Sequence, residues 1–140
     1  MLRLLAELIL VPETVAEEIW RRGNADPTAC AIRQATWLRI CPVQDKSPET
    51  VLAWGLGAGE TAVITLALRV AESLVVIDDL AGRRCAEAHR LRLTGTLGLV
   101  LRAKMQGRIS AARPVIEDLV RGGMFLSRQI LDKALAGVDE

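Results

Sequence analysis

The run Val75-Val76-Ile77-Asp78-Asp79 ends an apolar stretch in a pair of carboxylates, and Gly82-Arg83-Arg84 follows almost at once. A β-branched run of this kind suits a buried parallel strand, and open α/β sheets keep their sites beyond the carboxyl ends of such strands. Acids at that point are aimed at a cleft. Carboxylate oxygens suit a hard divalent cation, and a guanidinium suits a phosphate. Glu60 and Glu18 stand upstream in segments that read as helices. Together these residues point to metal-dependent chemistry on a phosphodiester.

Each acid also has a plainer reading. Asp78 and Asp79 face opposite ways if both are still in a strand, so only one can aim at a cation. Asp78 is the expected ligand, with Asp79 as the cap of a helix starting near Leu80 or as a partner supporting the ligand. Glu60 opens a helix after Gly55, Gly57 and Gly59, where the helix dipole favours a carboxylate; such a residue is also simply a good helix starter. Glu17-Glu18 reads equally as a solvated acidic pair. The glycines lack GxGxxG spacing, follow a helix instead of a strand, and carry no Lys-Ser/Thr pair, which argues against a nucleotide loop. A phosphoacceptor reading of the Asp pair would need another strand-end Asp and a late Lys after a strand, and neither is evident. His89 has no acidic or Ser partner at motif spacing and reads as a helix-surface residue.

The elements that must position these residues follow from periodicity and punctuation. Met1 to Leu10 reads as a helix followed by a short strand around Leu8–Val11, and Pro12 opens a helix to Arg22 that Gly23 closes. Gly23 to Pro27 is a loop, Ala31 to Leu38 is ambiguous, and Trp37 to Val43 resembles a strand interrupted by Pro42. Gln44 to Lys46 forms a turn, and Ser47 caps a short helix opened by Pro48. A longer helix spans about Glu60 to Glu72, with the glycines turning the chain ahead of it. Leu74 to Asp78 is a strand, residues 80–90 a helix carrying Arg83, Arg84 and Glu87 outward, and Leu91 to Thr94 a strand. Thr96 caps a helix over Leu97–Gln106, another helix covers Pro114–Arg121, and Ser127 caps the last one, to Ala136. Strands alternating with helices imply an α/β, three-layer sandwich around a mainly parallel sheet, as a single domain over residues 1–140.

Composition agrees. With 140 residues and 51% apolar content the chain can bury a real core. Residues 1–80 carry a net charge of −4 and residues 81–140 a net of +5, a polarity that could set metal ligands beside a phosphate-binding surface. Cys30, Cys41 and Cys85 share no CxxC spacing, so a zinc site or disulfide framework is not expected and a reducing cytoplasm is. The apolar stretch 61–77 is broken by Arg69 and Glu72, which argues against a membrane span. With no Tyr and one Phe, base stacking is not the expected mode of nucleic-acid binding. Trp20, Trp37 and Trp54 read as core or interface anchors.

Four stretches carry a family resemblance: Val11-Pro12-Glu13-Thr14-Val15-Ala16-Glu17-Glu18-Ile19, Leu56-Gly57-Ala58-Gly59-Glu60-Thr61-Ala62-Val63-Ile64, Val76-Ile77-Asp78-Asp79-Leu80-Ala81-Gly82-Arg83-Arg84-Cys85-Ala86 and Thr94-Gly95-Thr96-Leu97-Gly98. The chain resembles the PIN-domain nucleases, in particular a branch of small prokaryotic PIN-like proteins that look like toxins of toxin–antitoxin pairs. The resemblance implies an RNA-cleaving hydrolase that uses Mg²⁺ or Mn²⁺, with Asp78, Glu60 and Glu18 as acids and Asp79 as a further metal-side carboxylate. Thr94 and Thr96 would then line the cleft, and Arg83 and Arg84, by the chemistry of the guanidinium, would contact backbone phosphate of the nucleic acid. RNA and an antitoxin protein are the partners it implies, and apolar surface left by a missing strand would favour the antitoxin or a second copy of the chain. Relatives begin with an apolar strand ending in an aspartate, whereas the first aspartate here is Asp26. The resemblance therefore implies an N-terminally shortened site, and an impaired protein acting only through binding is the alternative to an active ribonuclease.

Overall fold

Pro12 fixes its own φ and has no N–H to give a ladder, so the short run of branched residues before it can be a strand but cannot continue past it. The computed structural model, which describes residues 2–42 and 46–140, bears this out. A single helical turn, α1 (Leu2–Leu5), precedes β1 (Ile9–Pro12), and the chain passes straight into α2 (Glu13–Trp20). Next come α3 (Pro27–Gln34) and β2 (Leu38–Cys41), then α4 (Glu49–Leu52), α5 (Ala58–Ala67) and β3 (Leu74–Val76). α6 (Leu80–Ala88) and β4 (Arg92–Thr94) follow, and α7 (Thr96–Met105), α8 (Arg113–Arg121) and α9 (Arg128–Ala136) finish the chain.

Both ladders are parallel. β1 pairs with β2 from Ile9–Leu38 to Pro12–Cys41, and β3 pairs with β4 from Leu74–Arg92 to Val76–Thr94. Parallel neighbours need a crossover, supplied by α2 and α3 in one case and α6 in the other. The chain is thus α/β, with parallel strands flanked by helices. Among the described residues the strands form a pair of two-stranded ladders. In β3, Val75 is buried and Val76 is 40% exposed, so this strand alternates where an unbroken buried run was expected.

The chain divides into two compact units. In the unit Leu8–Thr94, α5 packs on α2, β1, β3 and α6. Val51, Ile64 and Cys85 form one buried cluster there, and Ala67, Val75 and Ile77 form another. The unit made of Gly95–Glu140 and the segment up to Glu7 has its own core of Val100, Ala112, Ile116, Leu135 and Val138. Glu140 closes it, accepting from the N–H groups of Ala112 at 2.8 Å and Arg113 at 3.0 Å.

Several local expectations change. Asp26, read as a loop residue, caps α3 by accepting from the N–H groups of Thr28 and Ala29, both at 2.9 Å. Ser47 does not cap α4, because Pro48 takes the cap position; its oxygen instead accepts from buried Thr65 at 2.9 Å. Thr96 is the first residue of α7, and Gly95 is the cap. α5 stops at Ala67, short of the expected Glu72, whose φ of 59° is left-handed. Trp37 and Trp54 are exposed and Trp20 is half-buried, so none lies in the buried core. Val43 and Gln44, expected as strand and turn, lie outside the described residues.

Candidate functional site

Glu18 and Glu60 come from different helices and converge on one turn. α2 buries Ala16 and leaves Glu18 near the start of α5. Glu18 Oε2 sits 3.0 Å from where a β-carbon on Gly59 would stand. Glu60, in the first turn of α5, curls back so that its Oε2 lies 2.5 Å from the equivalent point on Gly57, the N-cap residue. Both carboxylates therefore occupy room that only glycine leaves open. They lie at the positive end of the helix dipole, which favours negative charge.

The stem of Glu60 ties this turn to α6. Its Cγ is 3.4 Å from where a β-carbon on Gly82 would stand, and Ile77 Cδ1 is 2.5 Å from that point. Asp79 caps α6 as expected, with Oδ2 accepting from the Gly82 N–H at 2.8 Å. The Ile77 N–H donates to the Thr94 carbonyl at 3.0 Å, so the β3–β4 ladder continues up to the residue before Asp78. Asp78 itself is exposed just beyond the strand.

The arginines differ. Arg84 is exposed, as expected. Arg83 was expected to point outward but is half-buried, with Nη1 donating to the Ile77 carbonyl at 3.0 Å. It braces the strand end through one of its five N–H donors. Glu18, Glu60, Asp79, Arg83 and Thr94 are thus linked through Gly59, Gly57, Gly82 and Ile77. Thr96 belongs to the other compact unit.

The part played by Gly57, Gly59 and Gly82 is not evident from the sequence pattern. The glycines before Glu60 read as turn formers, yet only Gly55 among the three has a left-handed backbone, at φ +61°. Gly59 is buried within α5, beneath the Glu18 carboxylate. The available signal was a glycine directly preceding an acid at a helix start.

His89 and Cys85 serve the fold. His89 ends α6, where Nδ1 is 2.8 Å from the Cys85 carbonyl and Nε2 is 3.1 Å from Thr50 Oγ1. A carbonyl only accepts, so Nδ1 carries a proton and donates to it, while Nε2 is hydrogen-bonded to the Thr50 hydroxyl. The ring thereby fastens α6 to α4, so His89, expected as a helix-surface residue, sits half-buried at the helix end. Burial pushes the Cys85 thiol up, which keeps it from acting as a thiolate nucleophile at neutral pH.

The donors available are hard carboxylate oxygens, the kind Mg²⁺ and Mn²⁺ prefer. Among the described residues no group of three or more His, Cys, Asp or Glu side chains converges tightly enough to hold a metal ion. Mg²⁺ is commonly held by one or two carboxylates, with waters and substrate phosphate completing the shell. The Glu18–Glu60 pair fits that requirement in kind.

No helix among the described residues is long and apolar enough to cross a membrane. No curated protein and no solved structure matches the chain. A family model described as a PIN domain matches residues 1–140. The same span contains the parallel strands with helical crossovers, the strand-end Asp78 and the gathered Glu18 and Glu60, and the chain belongs to the PIN-domain family.

Proposed function

We propose that the protein is a Mg²⁺- or Mn²⁺-dependent ribonuclease of PIN type, the toxin of a toxin–antitoxin pair acting in the cytoplasm. The observation that supports it best is the seating of the Glu18 and Glu60 carboxylates on one helix start, from separate elements. Those two side chains would hold the ion, with Asp78 just beyond β3 and Asp79 at the start of α6 as the further carboxylates in this reading. Bound there, the ion would offset charge on the scissile phosphate and lower the pKa of an attacking water. The exposed Arg84 would draw the RNA backbone in, and the remaining donors of Arg83 would orient it. Thr94, at the end of β4, completes the proposed RNA-lining set. An antitoxin or a second copy of the chain is the protein partner in this reading, and exposed Val76 and Leu80 supply apolar surface for one.

The test is cleavage of a mixed RNA substrate with Mn²⁺ and with EDTA. Glu18→Gln, Glu60→Gln and Asp78→Asn are each expected to lower the metal-dependent rate. The loss should be at least the roughly 10- to 100-fold that removing a supporting partner costs. Unchanged rates would remove the substituted acid from the site. A second reading, a protein that binds RNA or a protein partner without cleaving, is favoured by the want of three converging donor side chains among the described residues. It predicts RNA binding with no cleavage in either condition.

A further inference from the structure

We infer that Gly57 and Gly59 are positioning residues for the acidic pair, keeping vacant the two places where the carboxylates of Glu60 and Glu18 sit. This rests on the reading of those acids as holders of a cation. A β-carbon on Gly57 would stand 2.5 Å from Glu60 Oε2, closer than atoms can approach without one moving. A β-carbon on Gly59 would meet Glu18 Oε2 at 3.0 Å and both Cδ and Oε1 at 3.5 Å, so it would press on the whole carboxylate. In each case the atom that must yield is the far end of a flexible side chain.

The backbone does not ask for glycine at Gly57. Its φ of −61° and ψ of 163° are open to any L-residue. Gly59 lies inside α5, where alanine is the better helix former. Neither glycine serves the conformation of the chain, so the space each leaves is what it contributes. Gly82 has a different part: a β-carbon there would strike Ile77, a buried side chain, before it reached the stem of Glu60. The two glycines of the turn are therefore the clean probes.

The experiment compares the full chain with Gly57→Ala and Gly59→Ala, using Gly122→Ala in the other unit as control, since a β-carbon there meets only carbonyl oxygens at 3.4 Å. Three readouts are taken: thermal melting, Mn²⁺ affinity by electron paramagnetic resonance, and the side-chain carboxyl ¹³C resonances. Glu18→Gln and Glu60→Gln assign those resonances. Gly59→Ala is expected to melt no lower than wild type, to shift the Glu18 resonance and to weaken Mn²⁺ binding about 10- to 100-fold. Gly57→Ala should do the same through Glu60, and Gly122→Ala should leave resonances and affinity alone. Unmoved resonances overturn the inference, and so does unchanged Mn²⁺ affinity in variants whose resonances move. Should wild type bind no Mn²⁺ and cleave no RNA, the proposed function fails. The shift of both resonances in the alanine variants then still supports the seats, and its absence overturns them.

Discussion

A glutamate held in one rotamer gives up side-chain freedom worth about 1–2 kcal/mol, so a fixed carboxylate needs something that favours its place. For Glu18 and Glu60 that is the helix dipole together with room over Gly59 and Gly57. Glu140 shows the same economy at the start of α8. Its carboxylate accepts from the Arg113 and Ala112 N–H groups and lies 3.1 Å from the Lys104 ammonium. The backbone hydrogen bonds from Arg113 and Ala112, aided by Lys104, lower its pKa from 4.5 to about 2. A depressed folded-state pKa means stability that is present above the unfolded value and lost as pH falls through the folded one. Glu140→Gln should therefore lower the melting temperature at pH 7, with the gap to wild type closing between about pH 4.5 and pH 2. Melts across that range check it, and a gap that stays constant with pH would contradict it.

At the scale of elements, caps decide where the acids stand. Asp79 ends the segment after β3 and starts α6 through its bond to the Gly82 N–H, which brings Gly82 beneath the stem of Glu60. Asp79→Ala should cost about 1 kcal/mol, while Asn, an equally good cap, should cost little. Denaturant melts of the two variants check this, and equal losses would mean that the charge matters more than the cap. Asp79 and Ser127 were legible as caps because an acid or hydroxyl stood directly before a helical stretch. Ser47 and Thr96 carried the same signal, but the cap position fell one residue away from each, on Pro48 and Gly95. α3 reads from sequence only as a loop to Pro27 and an ambiguous stretch from Ala31, although Asp26-Pro27 is a cap followed by proline. It spans eight residues and buries only Ala29, which leaves little apolar stripe to read.

At the scale of the whole molecule, the α/β class and the parallel strands were legible from apolar runs alternating with helical periods. The pairing was not, since β3 and β4 have three residues each and so short a run does not specify how many neighbours a strand has. The acids were legible by type, because strand ends and helix starts are where carboxylates do chemistry. Their convergence was not, because it depends on α2 packing against α5. Each unit has its own core, and Ile116 is fully buried in one of them. Ile116→Ala should cost about 2–5 kcal/mol, read by chemical denaturation; a loss below 1 kcal/mol would mean that this cluster does not hold the unit together.

The proposed hydrolysis at the Glu18–Glu60 turn is tested most directly by single-turnover cleavage of a mixed RNA with Mn²⁺ and with EDTA, for wild type beside Glu60→Gln. Cleavage that needs both the metal and the Glu60 carboxylate is the expected result. Cleavage that survives EDTA or the substitution, or a folded wild-type chain that cleaves nothing, would contradict it.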